Sequence, residues 1–151
     1  MTLRPFHPAD ESAVIELWVE AGLVRPWNDP KRDVARKLST QPDLFLVIEE
    51  EGVIVATAMI GYDGHRGWVH YLAVAVEHRG RGLARRLMAE AERLLIERGC
   101  PKLMLMVRAD NAAVIGMYEG LGYATESTVV MGKRLIADPR EPDDAPRPAA
   151  G

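Results

Sequence analysis

Apolar residues recur every three or four positions in four stretches of the chain, with polar residues between them. In residues 83–99 these apolar positions fall on one side of a helix, and a glycine ends the pattern. Residues 8–22 and 29–38 have the same spacing, and each begins with an aspartate that can serve as an N-cap. A shorter helix begins near Asp110 or Asn111. The pattern therefore predicts four helices.

Runs rich in β-branched and apolar residues predict the strands. Residues 44–61 contain two such runs around a Glu-Gly turn, which indicates an antiparallel hairpin. Residues 68–76, 102–107 and 127–135 predict three more strands. The connection from 68–76 through the long helix to 102–107 should be a right-handed, parallel crossover. Helices and strands in this order predict an α/β (α+β) domain with a mixed sheet flanked by helices.

Composition limits the class of protein. The chain has 151 residues, of which 48% are hydrophobic and 27% are charged, and this fits one globular domain with its own core. We expect that domain to cover residues 1–137. Residues 138–151 are rich in Pro, Ala and Asp and contain no large apolar side chain, so we expect a disordered tail.

Charge, cysteine and histidine content disfavour several other classes. A net charge of -3 argues against a general nucleic-acid binder. The single cysteine cannot form an internal disulfide, which agrees with a reducing compartment, and the four histidines lack the spacing of a zinc site, so we expect no metal. No charged leader precedes an apolar segment, and no apolar run approaches the roughly 20 residues of a membrane helix. We therefore expect a cytoplasmic protein without a membrane partner.

The segment RGRGLARRL, residues 79–87, follows the apolar run 71–76 directly and begins the long helix. The first backbone N–H groups of a helix have no intrahelical partner, and the helix dipole adds positive charge there. Gly80 and Gly82 lack a Cβ, so the backbone can turn sharply and let an anion approach the amides of residues 80–85. The segment predicts a phosphate site at the start of the helix.

The arginines of this segment are favourable beside a pyrophosphate or a 3′-phosphate and awkward without a partner. The alternative is a solvated, arginine-rich helix start after a glycine turn. The segment lacks the Lys and Ser/Thr of a P-loop, and its glycine spacing differs from that of dinucleotide folds, so ATP and NAD are disfavoured.

Two motifs resemble the GNAT superfamily of acyl-CoA-dependent N-acetyltransferases. Arg79, Gly82 and Ala84 match its pyrophosphate motif, R/Q-x-x-G-x-G/A, and residues 111–123, NAAVIGMYEGLGY, are similar to its second motif. The match spans roughly residues 3–135. Two further segments, RPWNDP and GYDGHRG, resemble the YpeA-type bacterial acetyltransferases.

The resemblance implies a mostly antiparallel sheet of six or seven strands, flanked by about four helices, in which the fourth strand is bulged and splays from the fifth. A bulge frees main-chain groups for a ligand. Acetyl-CoA would lie in the gap, its pantetheine arm paired with Leu72, Ala73 and Val74 and hydrogen-bonded to Asn111. The residues that would surround its pyrophosphate are Arg79, Gly80, Arg81, Gly82, Leu83, Ala84 and Arg85.

The implied activity is transfer of an acetyl group to a primary amine by direct attack in a ternary complex. Tyr118, two turns after Asn111, would protonate the departing thiolate, and the amide near Val74 would polarise the acetyl carbonyl. The structural alternatives are a core aromatic at Tyr118 and a helix cap at Asn111. The functional alternative is an acyl-CoA-binding sensor or regulatory module without turnover.

The general base is left open, because Trp68 and Met106 stand where many family members carry Glu. His70 shares a strand face with Trp68, while Asp63 and His65 lie in the preceding loop. Each candidate has a structural alternative: a packed strand histidine, a turn former and a solvated loop residue.

The loop between the first two helices is the predicted acceptor site. Trp27 could line it and Asp29 could attract an amine, although a packed tryptophan followed by a helix cap explains the same residues. The expected partners are acetyl-CoA and an amine on a small molecule or a protein. Exposed sheet edges in this architecture often pair, so we also consider a homodimer.

Overall fold

The computed structural model describes residues 1–138. Its five strands are β1 (Thr2–Pro5), β2 (Phe45–Glu50), β3 (Val53–Tyr62), β4 (Gly67–Val74) and β5 (Leu103–Leu105). Its four α-helices are α1 (Glu11–Glu20), α2 (Pro30–Thr40), α3 (Leu83–Glu97) and α4 (Ala112–Gly120). Every helix and hairpin predicted from the pattern is confirmed, with boundaries shifted by a few residues.

The strands form one sheet in the order β1-β2-β3-β4-β5. Neighbours from β1 to β4 pair antiparallel, and β4 pairs parallel with β5. Helix α3 supplies the crossover between β4 and β5, which is the parallel connection predicted from the sequence. The mixed, mostly antiparallel α/β class is therefore confirmed.

Each face of the sheet carries its own hydrophobic core. The predicted apolar side of α3 packs on one face, together with α4, and Leu83, Leu87, Ala91 and Leu95 are all at most 5% exposed. Helices α1 and α2 cover the other face around the fully buried Trp18. Burying a large apolar side chain contributes about 1.5–3 kcal/mol, so these two layers hold the helices to the sheet.

The predicted strand at residues 127–135 is wrong, and the described sheet has five strands rather than six or seven. Val129 and Met131 are 85% and 90% exposed, so the run has no buried face. The chain is instead fixed on either side of it, because Glu126 pairs with Lys102 and Asp138 pairs with Arg36 of α2. Residues between these anchors are not paired with β5.

The predicted tail begins at Asp138, which the structure describes. Its carboxylate is buried against α2, 3.0 Å from the Arg36 guanidinium and 3.1 Å from that of Arg32. The other residues of that prediction, 139–151, lie outside the described part. Within residues 1–138 no helix is both long and apolar enough to span a bilayer.

Candidate active site

Strand β4 contains a bulge next to β3. Thr57 pairs with Ala73 and Met59 pairs with His70, so two residues of β4, Tyr71 and Leu72, stand opposite one residue of β3. Tyr71 has a φ of +51°, a left-handed conformation that is costly for an aromatic residue, at about 1–3 kcal/mol. Tyr71 therefore faces the same side of the sheet as its neighbour His70, towards α1 and α2.

Strands β4 and β5 separate just before this bulge. Their pairing covers Gly67 to Val69 on β4 and ends at the pair Val69 and Leu105. The rest of β4, from His70 to Val74, has no β5 partner. Main-chain groups in this stretch can therefore face a gap between the strands, which confirms the splayed pair expected from the sequence.

The glycine loop after β4 has the backbone that the sequence predicted. Gly80 and Gly82 have φ values of +77° and +79°, and Gly82 caps α3 without a side-chain hydrogen bond. A Cβ added at either glycine would meet no atom within 4 Å, so open space lies in front of both. The first amides of α3 face this space without an intrahelical partner, and this geometry fits a diphosphate such as that of coenzyme A.

Two of the three arginines around the loop already have partners in the protein. Arg79 donates from Nε to the carbonyl oxygen of Val74, at 3.2 Å. Arg81 forms two hydrogen bonds with Glu50, at 3.1 and 3.3 Å. Arg85 is exposed on the first turn of α3. All three lie in or next to the glycine loop.

Tyr118 lies on α4 and is 7% exposed. Its ring meets that of Tyr123 edge to face, with centroids 5.8 Å apart. Burial raises the pKa of Tyr118 to about 12, so its phenol stays protonated at physiological pH. Asn111 caps the same helix, its Oδ1 accepting from the Val114 amide at 3.3 Å. The cap uses only the oxygen of Asn111, and a bond to a ligand would come from its amide nitrogen.

His70 is the first residue of β4 beyond its pairing with β5. Its imidazole is stacked with Trp68, the ring centroids 6.3 Å apart, and keeps contact with solvent. Desolvation by the surrounding protein lowers its pKa, and the charge of Lys37 lowers it further, while Asp33 opposes both. A neutral imidazole at this place can accept a proton.

Asp63 and His65 lie at the far end of β4. Asp63 accepts from the amides of His65 and Arg66 at 2.8 and 2.7 Å, so it closes the turn before the strand. Strand β4 rises about 3.3 Å per residue, which separates this turn from the glycine loop by roughly 20 Å. Asp63 also accepts from the indole N–H of Trp68 at 3.4 Å, so the turn lies beside the part of β4 that pairs with β5 and away from the glycine loop.

The acceptor candidates lie between α1 and α2. Trp27 is 53% exposed, so the packed alternative does not hold for it. Asp29 caps α2, its Oδ1 accepting from the Lys31 amide at 2.9 Å, as the structural alternative expected. This loop also contains Asn28, which reaches Tyr71 on β4.

A network around the bulge was missed by the sequence analysis. Tyr71 donates from its hydroxyl to Asp33 and stacks on Trp18, and Thr57 binds both Trp18 and the Tyr71 carbonyl. No local motif marks these residues. The sequence offered one signal: Tyr71 is an aromatic residue in the strand for which the family resemblance implied a bulge.

Lys37 was also missed. It is 8% exposed, and its Nζ donates to the carbonyl oxygen of Ile60. Desolvation lowers its pKa to about 8, with a smaller contribution from Arg98. Among residues 1–138, no group of three or more His, Cys, Asp or Glu side chains could hold a metal ion.

A bulged strand that leaves its parallel neighbour and continues into a glycine loop at a helix start defines the acyl-CoA-dependent acetyltransferase class. Residues 12–123 match the Acetyltransferase (GNAT) family, and the chain belongs to that family. It is 55% identical over 138 residues to an acetyltransferase from Yersinia enterocolitica, covering 91% of this chain and 98% of the relative.

Solved structures share the fold. The aminoglycoside antibiotic 6'-N-acetyltransferase AAC(6')-IG from Acinetobacter haemolyticus matches with a TM-score of 0.72 at 21% identity, over 90% of this chain and 99% of that one. Aminoglycoside N-acetyltransferase AAC(6')-Iy, solved in complex with CoA, matches with a TM-score of 0.69 at 17% identity, over 89% and 100%. The protein is an N-acetyltransferase of the GNAT fold.

Proposed function

We propose that the protein transfers an acetyl group from acetyl-CoA to a primary amine, by direct attack within a ternary complex. One observation carries this proposal: β4 loses its β5 partner after Val69, bulges at Tyr71, and leads into the glycine loop at Gly80 and Gly82. The unpaired stretch of β4 would hold the pantetheine arm, and the glycine loop that follows it would hold the pyrophosphate. The shared fold of AAC(6')-Iy, solved with CoA, supports it.

The chain offers donors for each part of acetyl-CoA. The amides of residues 80–85 and the guanidinium groups of Arg79, Arg81 and Arg85 would bind the pyrophosphate. Main-chain groups from Leu72 through Ala73 to Val74 would pair with the pantetheine arm, and Asn111 would donate its amide N–H to it. Acetyl-CoA is the co-substrate of the reaction and supplies the acetyl group.

The transfer needs two proton movements. The amine attacks the thioester carbon with its lone pair, the C–N bond forms, and the C–S bond then breaks to release the thiolate. A backbone amide near Val74 would stabilise the developing oxyanion, and Tyr118 would donate to the leaving sulfur. Holding amine and thioester in one cleft contributes much of the rate enhancement.

His70 is our candidate for the base that takes the proton from the amine, directly or through water. It follows the last paired residue of β4, and its lowered pKa keeps it neutral at physiological pH. Asp63 already accepts from two backbone amides, which lower its pKa, and His65 lies in the exposed turn, so we assign them no proton transfer. Trp68, in the position of the family's glutamate, has no basic atom.

The acceptor would enter from the loop between α1 and α2. Trp27 exposes half of its surface there, and an ammonium group would compete with Arg32, whose Nε lies 3.7 Å from the Asp29 carboxylate. We therefore expect a cationic primary amine, on a small molecule or a protein.

The buried, unpaired Cys100 agrees with a cytoplasmic location.

Thiol release from acetyl-CoA tests the proposed function. The acceptor panel contains an N-terminal peptide, a lysine peptide, free amino acids, a polyamine and an aminoglycoside, and mass spectrometry identifies the acetylated product. We expect thiol release that depends on at least one amine. Binding of CoA by calorimetry without thiol release from any acceptor would favour the sensor instead.

A further inference from the structure

We propose that Tyr71 is a positioning residue for acetyl transfer, because its ring and carbonyl hold the bulge of β4 while its hydroxyl sets the acceptor loop. We call Tyr71 and its four partners, Trp18, Asn28, Asp33 and Thr57, the Tyr71 clamp. The inference rests on the proposed function and names residues that act on both substrates without contacting the reacting atoms.

The bulge needs support from its surroundings. Tyr71 adopts a φ of +51°, which persists in an aromatic residue only where other contacts determine it. A slip by one residue would restore regular pairing with β3 and move the side chains that follow to the opposite face. The main-chain groups of Leu72 to Val74 would then no longer have the orientation that the bulge gives them.

Two fully buried residues supply that support from α1 and β3. The indole of Trp18 stacks on the Tyr71 ring, with centroids 3.8 Å apart and planes 12° apart. Trp18 donates from Nε1 to the hydroxyl oxygen of Thr57 at 2.9 Å, and Thr57 donates to the Tyr71 carbonyl oxygen at 2.9 Å. Both Trp18 and Thr57 are 0% exposed, so water does not compete for these bonds.

The hydroxyl of Tyr71 points the other way, towards the acceptor loop. It donates to Asp33 Oδ2 at 2.6 Å and accepts from Asn28 Nδ2 at 3.0 Å. Asn28 belongs to the loop before α2, and Asp33 to the first turn of α2. One side chain therefore connects the strand that would hold the thioester with the loop that would hold the amine.

This arrangement separates two functions of one residue. The ring and carbonyl act on β4, so disturbing them should affect coenzyme A. The hydroxyl acts on the loop, so removing it should affect the acceptor. A residue needed only for folding would not produce this separation.

Steady-state kinetics with three variants test the separation. Tyr71→Phe keeps the ring on Trp18 and loses the hydroxyl, and we expect the acceptor KM to rise about tenfold, as for a lost charge-assisted bond, with the Kd for CoA within about twofold. Thr57→Val keeps the side-chain volume and loses the bond to the Tyr71 carbonyl. Here we expect the Kd for CoA to rise about tenfold, and hydrogen exchange at the amides of residues 72–74 to quicken.

Tyr62→Phe is the matched control. Its hydroxyl lies on β3, donates to the Gly64 carbonyl oxygen at 3.4 Å, and is remote from the clamp. Tyr62→Phe should leave the acceptor KM, the Kd for CoA and hydrogen exchange at residues 72–74 unchanged.

Asp33 also binds Asn28 and Arg36, so a double-mutant cycle of Asp33→Ala with Tyr71→Phe is needed to isolate its contact with the Tyr71 hydroxyl. The double variant should raise the acceptor KM by less than the product of the two single effects.

The inference is overturned if Tyr71→Phe retains the wild-type acceptor KM, or if both variants merely lower the folded fraction measured by circular dichroism. Wild-type protein that turns over no amine would instead refute the proposed function. In that case hydrogen exchange at the amides of residues 72–74 still tests whether the Tyr71 clamp supports the bulge. Equal exchange rates in wild type and Thr57→Val would show that it does not.

Discussion

Arg81, in the glycine loop, is held by Glu50 at the end of β2 through two hydrogen bonds of 3.1 and 3.3 Å. His78 approaches the same carboxylate at 2.8 Å. The hydrogen bond from Arg81 and then that from His78 lower the pKa of Glu50, so this carboxylate is charged at neutral pH. A phosphate that recruits Arg81 must therefore compete with Glu50.

Charge changes at this pair should move CoA affinity in opposite directions. Arg81→Glu should weaken CoA binding at least tenfold, since a charge-assisted bond is lost and repulsion is added. Glu50→Gln should strengthen it about two- to threefold, because the competing charge is removed. Calorimetry at low salt measures both. Arg93→Glu makes the same charge reversal on the exposed side of α3, where Arg93 pairs with Glu90 and Glu97, and should change the Kd little.

Tyr118→Phe should lower kcat about a hundredfold, the usual effect of removing a general acid. Because the pKa of Tyr118 is about 12, the loss should be equal at about pH 7 and about pH 9. Tyr123→Phe is the control, since it removes a hydroxyl from the ring that meets Tyr118 edge to face and leaves the Tyr118 phenol in place. Full activity of Tyr118→Phe across this pH range would exclude Tyr118 as the acid.

The pH profile of kcat/KM should report the titration of the His70 imidazole. Since desolvation and Lys37 lower the pKa of His70, the acidic limb of the profile should have its midpoint below the ordinary histidine pKa of about 6.5. His70→Gln should remove this acidic limb and lower the plateau about tenfold or more. Both proteins are compared with the same amine, so titration of the substrate cancels. An unchanged limb in His70→Gln would assign it to another group.

Lys37 should make the fold more stable at alkaline pH. Its pKa falls from 10.5 to about 8 in the folded protein, so between these values the unfolded chain binds more protons and the free energy of unfolding rises with pH. Solvent access to the ammonium group reduces the effect, and we expect about 1–2 kcal/mol across this interval. Urea unfolding should show the free energy of unfolding of wild type gaining on that of Lys37→Met as pH rises through about 8, since the buried tyrosines titrate alike in both proteins. Parallel curves would contradict the assignment.

Alanine substitutions at two glycines should change the free energy of unfolding in opposite directions. A Cβ at Gly67 would lie 2.6 Å from Leu95 Cδ1 and 3.0 Å from Cys100 Sγ, so Gly67→Ala should lower the free energy of unfolding by about 1–3 kcal/mol. Gly116 lies inside α4, with nothing within 4 Å of its added Cβ. Gly116→Ala should therefore stabilise the protein by about 0.5–1 kcal/mol. Denaturant unfolding measures both changes.

Local features of the sequence predicted the parts of the fold that depend on local physics. The apolar side of α3 follows from helical spacing, and the turn at Gly80 and Gly82 follows from the missing Cβ. The split between β4 and β5 came instead from a family resemblance, because no spacing rule predicts where two strands separate. The strand expected at 127–135 failed because apolar composition does not specify a partner for a strand.

The Tyr71 clamp shows the same limit at the site. Tyr71 and Asp33 lie 38 positions apart, and Trp18 and Thr57 lie 39 apart. These contacts follow from how two helices and two strands pack, so the sequence pattern alone does not reveal them. The predictions for Tyr118 and Asn111, by contrast, come from one short motif.

The exposed run after α4 gives the protein a chemical reporter. Met131 has the most exposed large apolar side chain among residues 1–138, whereas Met88 on α3 is 1% exposed. Mild peroxide should therefore convert Met131 to its sulfoxide well before Met88. The oxidation rate of Met131, followed by mass spectrometry, would then fall when another molecule covers residues 127–135. This measurement needs no added label.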